Sequence, residues 1–299
     1  MNNHARNRGA RKSLYSLVTL LPLLFLWSCT DRPTAETARS GQMTLALDRS
    51  LEEVAARERD QFTAYYPDAR ITLLPDASQK TLRHLLDHTA RAALIGAAPD
   101  ASEDSLFMKL NPPLRREPVA RDAIICIVSR QSPLKALSVK QLEALLTRKG
   151  AGLPPFVRED DYRLRSFFAT RRHQKRGEVR ALGCRTEGEV IRRVAARREG
   201  IGLLFLSAFD AAKKSGSLQD SVRILPLSPE GAGGEPLLPS RQNIFDGSYP
   251  LVSIVYYVYY SGDALPAGFG SWFAGSGQKA IEQSSLTPWK MIERTILLK

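Results

Sequence analysis

His84 and His88 stand four residues apart in a stretch that reads as helix, so they share a face. Zinc chemistry of the metalloprotease type needs a glutamate directly after the first histidine, and Leu85 is there instead. Gly231-Ala232-Gly233-Gly234 is not followed by the lysine and hydroxyl that turn a glycine run into a phosphate loop. The chain has no Gly-x-Ser-x-Gly elbow. No group of carboxylates is spaced for acid–base or metal work. The residue types therefore predict no enzyme, no metal site and no cofactor.

What remains is positive charge. The 299 residues carry 43 Lys and Arg against 31 Asp and Glu, a formal net charge of +12. The first 28 residues contribute +4 of this and the rest of the chain +8. The segment Arg158–Arg198 is dense in arginine, with the pairs Arg171-Arg172, Arg192-Arg193 and Arg197-Arg198. A basic body suits a small anion, a phospholipid surface or nucleic acid.

The N-terminus narrows that choice. Arg6 to Lys12 form a positive region, and Leu14 to Trp27 form an apolar run of 14 residues. A membrane-spanning helix needs about 20 apolar residues, so this run has the length and flanks of a secretion signal. Leu26-Trp27-Ser28-Cys29 resembles the lipobox of bacterial lipoproteins, with Trp27 where a small residue is usual. The expectation is a signal peptide over 1–28, a lipid on Cys29, and a flexible polar tether over 29–41. An exported protein has no nucleic acid to meet, which leaves the anion and the membrane. Of the other two cysteines, Cys126 lies in an apolar strand and Cys184 in a loop, and the sequence leaves open whether they pair.

The body, 42–299, must position these charges. Strands are predicted at Met43 to Leu47, Arg70 to Leu74 and Ala92 to Ala97. Helices from Leu51 to about Tyr65 and from Gln79 to about Thr89 separate them. Strand–helix–strand–helix–strand is the pattern of a parallel, helix-covered sheet. Further strands are predicted at Asp122 to Ser129, Gly200 to Phe205 and Leu251 to Tyr260. Helices are predicted at Val139 to Leu146, Arg163 to about Thr170, Glu187 to Arg198 and Phe269 to about Gln283, and a loop at 226–240.

Several segments, in order, resemble the periplasmic phosphate-binding proteins of ABC uptake systems (PstS-like), in particular the lipoprotein branch found in Bacteroidetes. They are Arg121 to Ser129 with Ser132-Pro133-Leu134 and Leu137 to Leu142, then Gly200-Ile201-Gly202-Leu203, Tyr249-Pro250-Leu251, and Phe273 to Ile281 with Leu286-Thr287-Pro288. The resemblance implies an α/β chain with a two-lobed type II periplasmic-binding-protein fold, each lobe a helix-covered, mostly parallel sheet. Lobe 1 would take about 42–122 and 224–299, and lobe 2 about 123–223. Ligand would sit in the cleft near helix N-termini, which favour an oxyanion.

The same resemblance implies the site. The family's first binding loop matches Asp48-Arg49-Ser50 and its second matches Ser78. Its arginine after an apolar strand matches Arg158. Its Ser-Gly-Thr helix start aligns with Tyr162-Arg163-Leu164, where hydroxyl and glycine are replaced by bulk. Its proton-accepting carboxylate is replaced by Gly96-Ala97-Ala98-Pro99. Arg163 and Arg165 are then candidates for a bidentate grip on a larger anion. The expected ligand residues are Arg49, Ser50, Ser78, Arg158, Arg163 and Arg165. The expected function is a non-catalytic, lipid-anchored receptor in the cell envelope, facing the periplasm or the cell surface. It would pass phosphate or a related anion to a transporter permease. The alternative is a degenerate binding fold serving an envelope complex as scaffold or sensor, with no small ligand.

Overall fold

Leu45, Ala46 and Leu47 are apolar on consecutive positions, which suits a strand covered on both faces. In the computed structural model, which describes residues 35–99, 101–147, 152–214, 221–229 and 234–291, they lie wholly buried in β1 (Gly41–Asp48). β1 pairs in parallel with β2 (Ala69–Asp76) and β3 (Ala92–Ile95). The crossovers are helices α1 (Glu52–Tyr65) and α2 (Ser78–Leu86). Helix α3 (Ala101–Lys109), which has no clear sequence signal, leads into β4 (Leu114–Ser129).

β4 is twice as long as β1 and runs through both lobes. Its first half pairs antiparallel with β11 (Val252–Tyr260) and β12 (Thr287–Pro288). Its second half pairs antiparallel with β8 (Ile201–Phe205) and β9 (Val222–Leu225). β6 (Phe156–Arg158) lies parallel between β8 and β7 (Leu182–Cys184). The sheet order is β2-β1-β3-β11-β4-β8-β6-β7. Parallel ladders thus form the outer parts, and antiparallel strands carry the chain between lobes. β5 (Leu137–Ser138) and β10 (Leu227–Ser228) form a separate parallel pair.

Helix α4 (Val139–Leu145) starts where the sequence predicts. Ser138 accepts the Gln141 amide at 3.1 Å, and the Gln141 side chain accepts the Ser138 amide at 2.9 Å, a closed capping box. Helices α5 (Tyr162–Arg171), α6 (Glu187–Ala195) and α7 (Leu206–Lys214) cover lobe 2. After α8 (Arg241–Phe245) and β11, α9 (Ala264–Ala274) and α10 (Gln278–Glu282) close lobe 1. One helix was expected over this last stretch. Gly275-Ser276-Gly277 breaks it, because the Gly277 amide turns back to the Trp272 carbonyl at 2.8 Å.

Each lobe has its own core. Leu45, Leu47, Phe62, Tyr257, Phe269 and Phe273 fill one; Ile125, Ile127, Phe156, Phe168, Val190 and Leu203 fill the other. Tyr249 and Leu251 belong to the second core, and the Tyr249 hydroxyl donates to the Ile124 carbonyl at 3.0 Å. The chain therefore returns to lobe 1 near Val252, not near 224. The expected boundary falls early because β9 and β10 still pair inside lobe 2.

The expected signal segment and Cys29 lie outside the described residues, as does the first part of the expected tether, residues 29–34. Its last residues belong to the body, which forms one unit from Glu36 onward. Glu36 takes both arms of Arg91, at 2.5 and 2.6 Å, and accepts the Leu265 amide at 3.3 Å. Cys126 and Cys184 are both buried and unpaired. His84 Nε2 lies 3.0 Å from Asp76 Oδ2, whereas His88 follows the end of α2 with a φ of 59° and stacks on Tyr260. The two histidines therefore share no helix face.

Candidate functional site

The carboxyl ends of β1 and β3, the crossover in β4 and the first turns of α5 and α7 converge on one point between the lobes. In sheets of this kind that is where a ligand is expected. The point is occupied by the chain's own guanidinium. Arg163, in the first turn of α5, is 3% exposed. Its Nη1 donates to Ser50 Oγ at 3.0 Å, and its Nη2 donates to the Gly96 carbonyl at 2.9 Å. Its central carbon lies 3.9 Å from the centroid of the Phe205 ring.

Carboxylates surround it. Asp48 Oδ2 and Asp122 Oδ2 each lie 3.6 Å from a guanidinium nitrogen. Asp161 caps α5 by accepting the Leu164 amide at 3.0 Å. All three are buried. Burial opposes the Asp48 charge, but Arg163 and the hydroxyls of Ser78 and Ser50 outweigh it and hold the carboxyl below its usual range. For Asp122 burial wins over Arg163 and Ser207, and the carboxyl is raised. For Asp161 burial wins over Arg163 and the Leu164 amide, and its pKa is pushed up to about 6.

The serines are spent in this box. Ser50 Oγ donates to Asp48 Oδ1 at 2.9 Å while accepting from Arg163, and Ser78 Oγ donates to Asp48 Oδ2. The space left beside them is about 30 Å³, room for about one water. Gly96 is required here, since a Cβ on it would run into the Arg163 guanidinium. Gly96→Ala is expected to cost about 1–3 kcal/mol, the usual range for overpacking, in urea unfolding. An unchanged midpoint would show that the arginine has another place to go.

Next to the box opens a larger cavity of about 420 Å³, also shared by both lobes. Arg49 and Ser50 line it from lobe 1. Arg158, Thr186, Glu187, Gly188 and Arg192 line it from lobe 2, with Phe209 and Lys213 of α7. Four cations therefore face it against one carboxylate. Arg158 is held in the wall by Asp160 at 2.5 Å and by Glu187. No carboxylate among the described residues lies within ion-pair distance of Arg49 or Arg192.

A two-lobed sheet in which one long strand crosses between lobes, with a charged cleft at the crossing, limits the choice of family. The sequence matches the model of the PBP superfamily domain over residues 32–276. The chain belongs to the PBP superfamily. Its fold is PstS-like. A Clostridium perfringens protein with bound phosphate, described as a phosphate ABC transporter substrate-binding protein, superposes with a TM-score of 0.63 at 18% identity, covering 84% of this chain and all (100%) of that one. An ABC-type phosphate transport receptor from Vibrio cholerae gives a TM-score of 0.63 at 16% identity, covering 83% of this chain and 100% of that one. PstS from Borrelia burgdorferi gives a TM-score of 0.55 at 14% identity, covering 84% of this chain and 100% of that one. At such identities the likeness is one of fold. No curated protein matches the sequence.

Within this PBP fold the expected ligand residues part ways. Arg49, Ser50 and Arg158 line the larger cavity, and Ser78 and Arg163 belong to the box. Arg165 lines neither, because it stands about half a helical turn from Arg163 and so faces away from the cleft, and its Nη1 donates to the Val179 carbonyl at 3.0 Å. Asp48, Asp122, Asp161 and Ser207 were not singled out as site residues. Asp122 does leave a trace in the sequence, a lone acid at the head of the apolar run Ala123 to Val128.

Proposed function

We propose that this PBP chain is a non-catalytic solute receptor that takes phosphate or a related anion and hands it to an ABC-type permease of the cell envelope. The supporting observation is the interlobe cavity with its four cations and single carboxylate. The lobes would close on the anion by hinge motion at the strands that cross between them. The structural relatives named above as phosphate receptors share this fold and supply the precedent.

The experiment is a thermal-shift titration of the full chain with phosphate, sulfate as control. A ligand that binds only the folded state at about 100 times its Kd adds about 2.7 kcal/mol of stability. A saturable rise with phosphate and none with sulfate is the expected result. A flat response to every anion would reject the receptor.

A second reading has its own observation. Arg163 fills the inner box and satisfies its acids without any ligand. A scaffold or sensor in an envelope complex needs no more than that. It predicts no anion response and a protein partner retained through purification.

We also propose that Cys29 carries lipid and holds the body at the membrane, the chain before Glu36 serving as the tether. Among the described residues no helix is long and apolar enough to cross a membrane. Cys29→Ser is expected to move the protein from the membrane fraction to the soluble fraction and to lower its mass by the lipid. Unchanged fractionation and mass would reject the anchor.

A further inference from the structure

Resting on the receptor reading, we infer that the larger cavity seats an organic phosphate monoester and binds it in preference to free inorganic phosphate, which still binds. Three observations carry this.

The inner box offers an anion nothing. Its two serine hydroxyls donate to Asp48, its guanidinium is surrounded by Asp48, Asp122 and Asp161, and about 30 Å³ is free. An anion entering it would meet carboxylates and have to displace a buried cation.

The larger cavity has cations with nothing to do. Arg49 and Arg192 face it without carboxylate partners among the described residues. The place of Arg192 is telling. Its Nη1 lies 3.8 Å from where a Cβ on Gly188 would stand, over the first turn of α6. Backbone amides there have no intrahelical acceptor, and the helix dipole makes that end positive. Arg192 belongs to the last turn of α6, and the acids of the first turn, Glu187 and Glu189, pair with Arg158 and Arg193 and leave its guanidinium open to an anion. A doubly charged phosphate head fits between Arg192, Arg49 and Lys213, with the first-turn amides of α6 as further donors.

The rest of the cavity is larger and more apolar than inorganic phosphate needs. At about 420 Å³ it falls in the range of organic-ligand pockets, about 300–1,000 Å³. Ile191, Phe209 and Val222 form its apolar wall. A phosphate group with an uncharged, partly apolar body satisfies both parts at once.

The test titrates the full chain by calorimetry with phenyl phosphate, inorganic phosphate and phenol. Phenyl phosphate is expected to bind at least about tenfold more tightly than inorganic phosphate, and phenol not to bind. Arg49→Gln and Arg192→Gln are each expected to weaken phenyl phosphate about tenfold or more, the effect of losing one charge-assisted contact. Both side chains are exposed and unpaired, so both variants should melt like the parent. Inorganic phosphate binding as tightly as phenyl phosphate would overturn this inference and leave the receptor reading standing. Phenyl phosphate binding that neither variant weakens would move the site elsewhere and also overturn it. Failure of both anions to bind would remove the inference and the receptor together.

Discussion

Arg163→Met is expected to destabilise the protein by about 3–5 kcal/mol at pH 7.5, the usual cost of removing one partner from a buried ion cluster. The side chain is 3% exposed and lies among Asp48, Asp122 and Asp161, themselves buried. Methionine fills much of its volume and can still pack on Phe205, so loss of packing is not the main effect. The cost is electrostatic. It should shrink at pH 5, where the unpaired acids escape by taking up protons. Urea unfolding of parent and variant at the two pH values checks this. Equal losses at both would mean that the arginine acts by packing alone. Arg163→Lys keeps the charge but cannot reach Ser50 and the Gly96 carbonyl together, and should fall between the two.

The parent already shows the same pull. Folded Asp161 releases its proton near pH 6, and the unfolded chain does so near 3.8. The folded state therefore binds the extra proton between these values, and this group's contribution to stability falls as pH rises through them. Asp48 acts in the opposite sense, below the usual carboxylate range, because its folded form favours the charge. The box is balanced by one cation against three acids of different strength.

The fold was legible where local pattern and burial agree. The alternating elements of lobe 1, the capping box at Ser138 and the apolar half of β4 all follow from neighbouring residues. The first half of β4 did not, because Arg115, Arg116, Glu117 and Pro118 hide a strand that pairs with β11 across a bulge between Val255 and Tyr256. The site was half legible. Loop positions that line the larger cavity were named from the resemblance, but the role of Arg163 was not. Asp48, Asp122 and Arg163 are more than 40 residues apart in the chain. A buried charge looks like a surface charge until the fold brings its partner. Spacing could not show that this arginine binds its own protein's acids.

The second large effect lies away from the cleft. Glu58 in α1 is fully buried (0% exposed), and burial pushes its pKa up to about 8, against the hydrogen bond from Trp272. Trp272 Nε1 donates to Oε2 at 2.9 Å, while Oε1 has no partner among the described residues. The unfolded chain gives up this proton near 4.5. Folding therefore retains a proton between about pH 4.5 and about pH 8, and stability falls as pH rises through that window. At about 1.4 kcal/mol for each pH unit of difference, the loss is on the order of a few kcal/mol. Glu58→Gln keeps an acceptor for Trp272 and cannot ionise. It is expected to match the parent or fall slightly below it at pH 5, where its amide lacks an acceptor, and to exceed it by a few kcal/mol at pH 8.5. Guanidinium unfolding at both pH values decides. Parallel pH dependence in parent and variant would mean that Glu58 reaches solvent or a cation when it ionises.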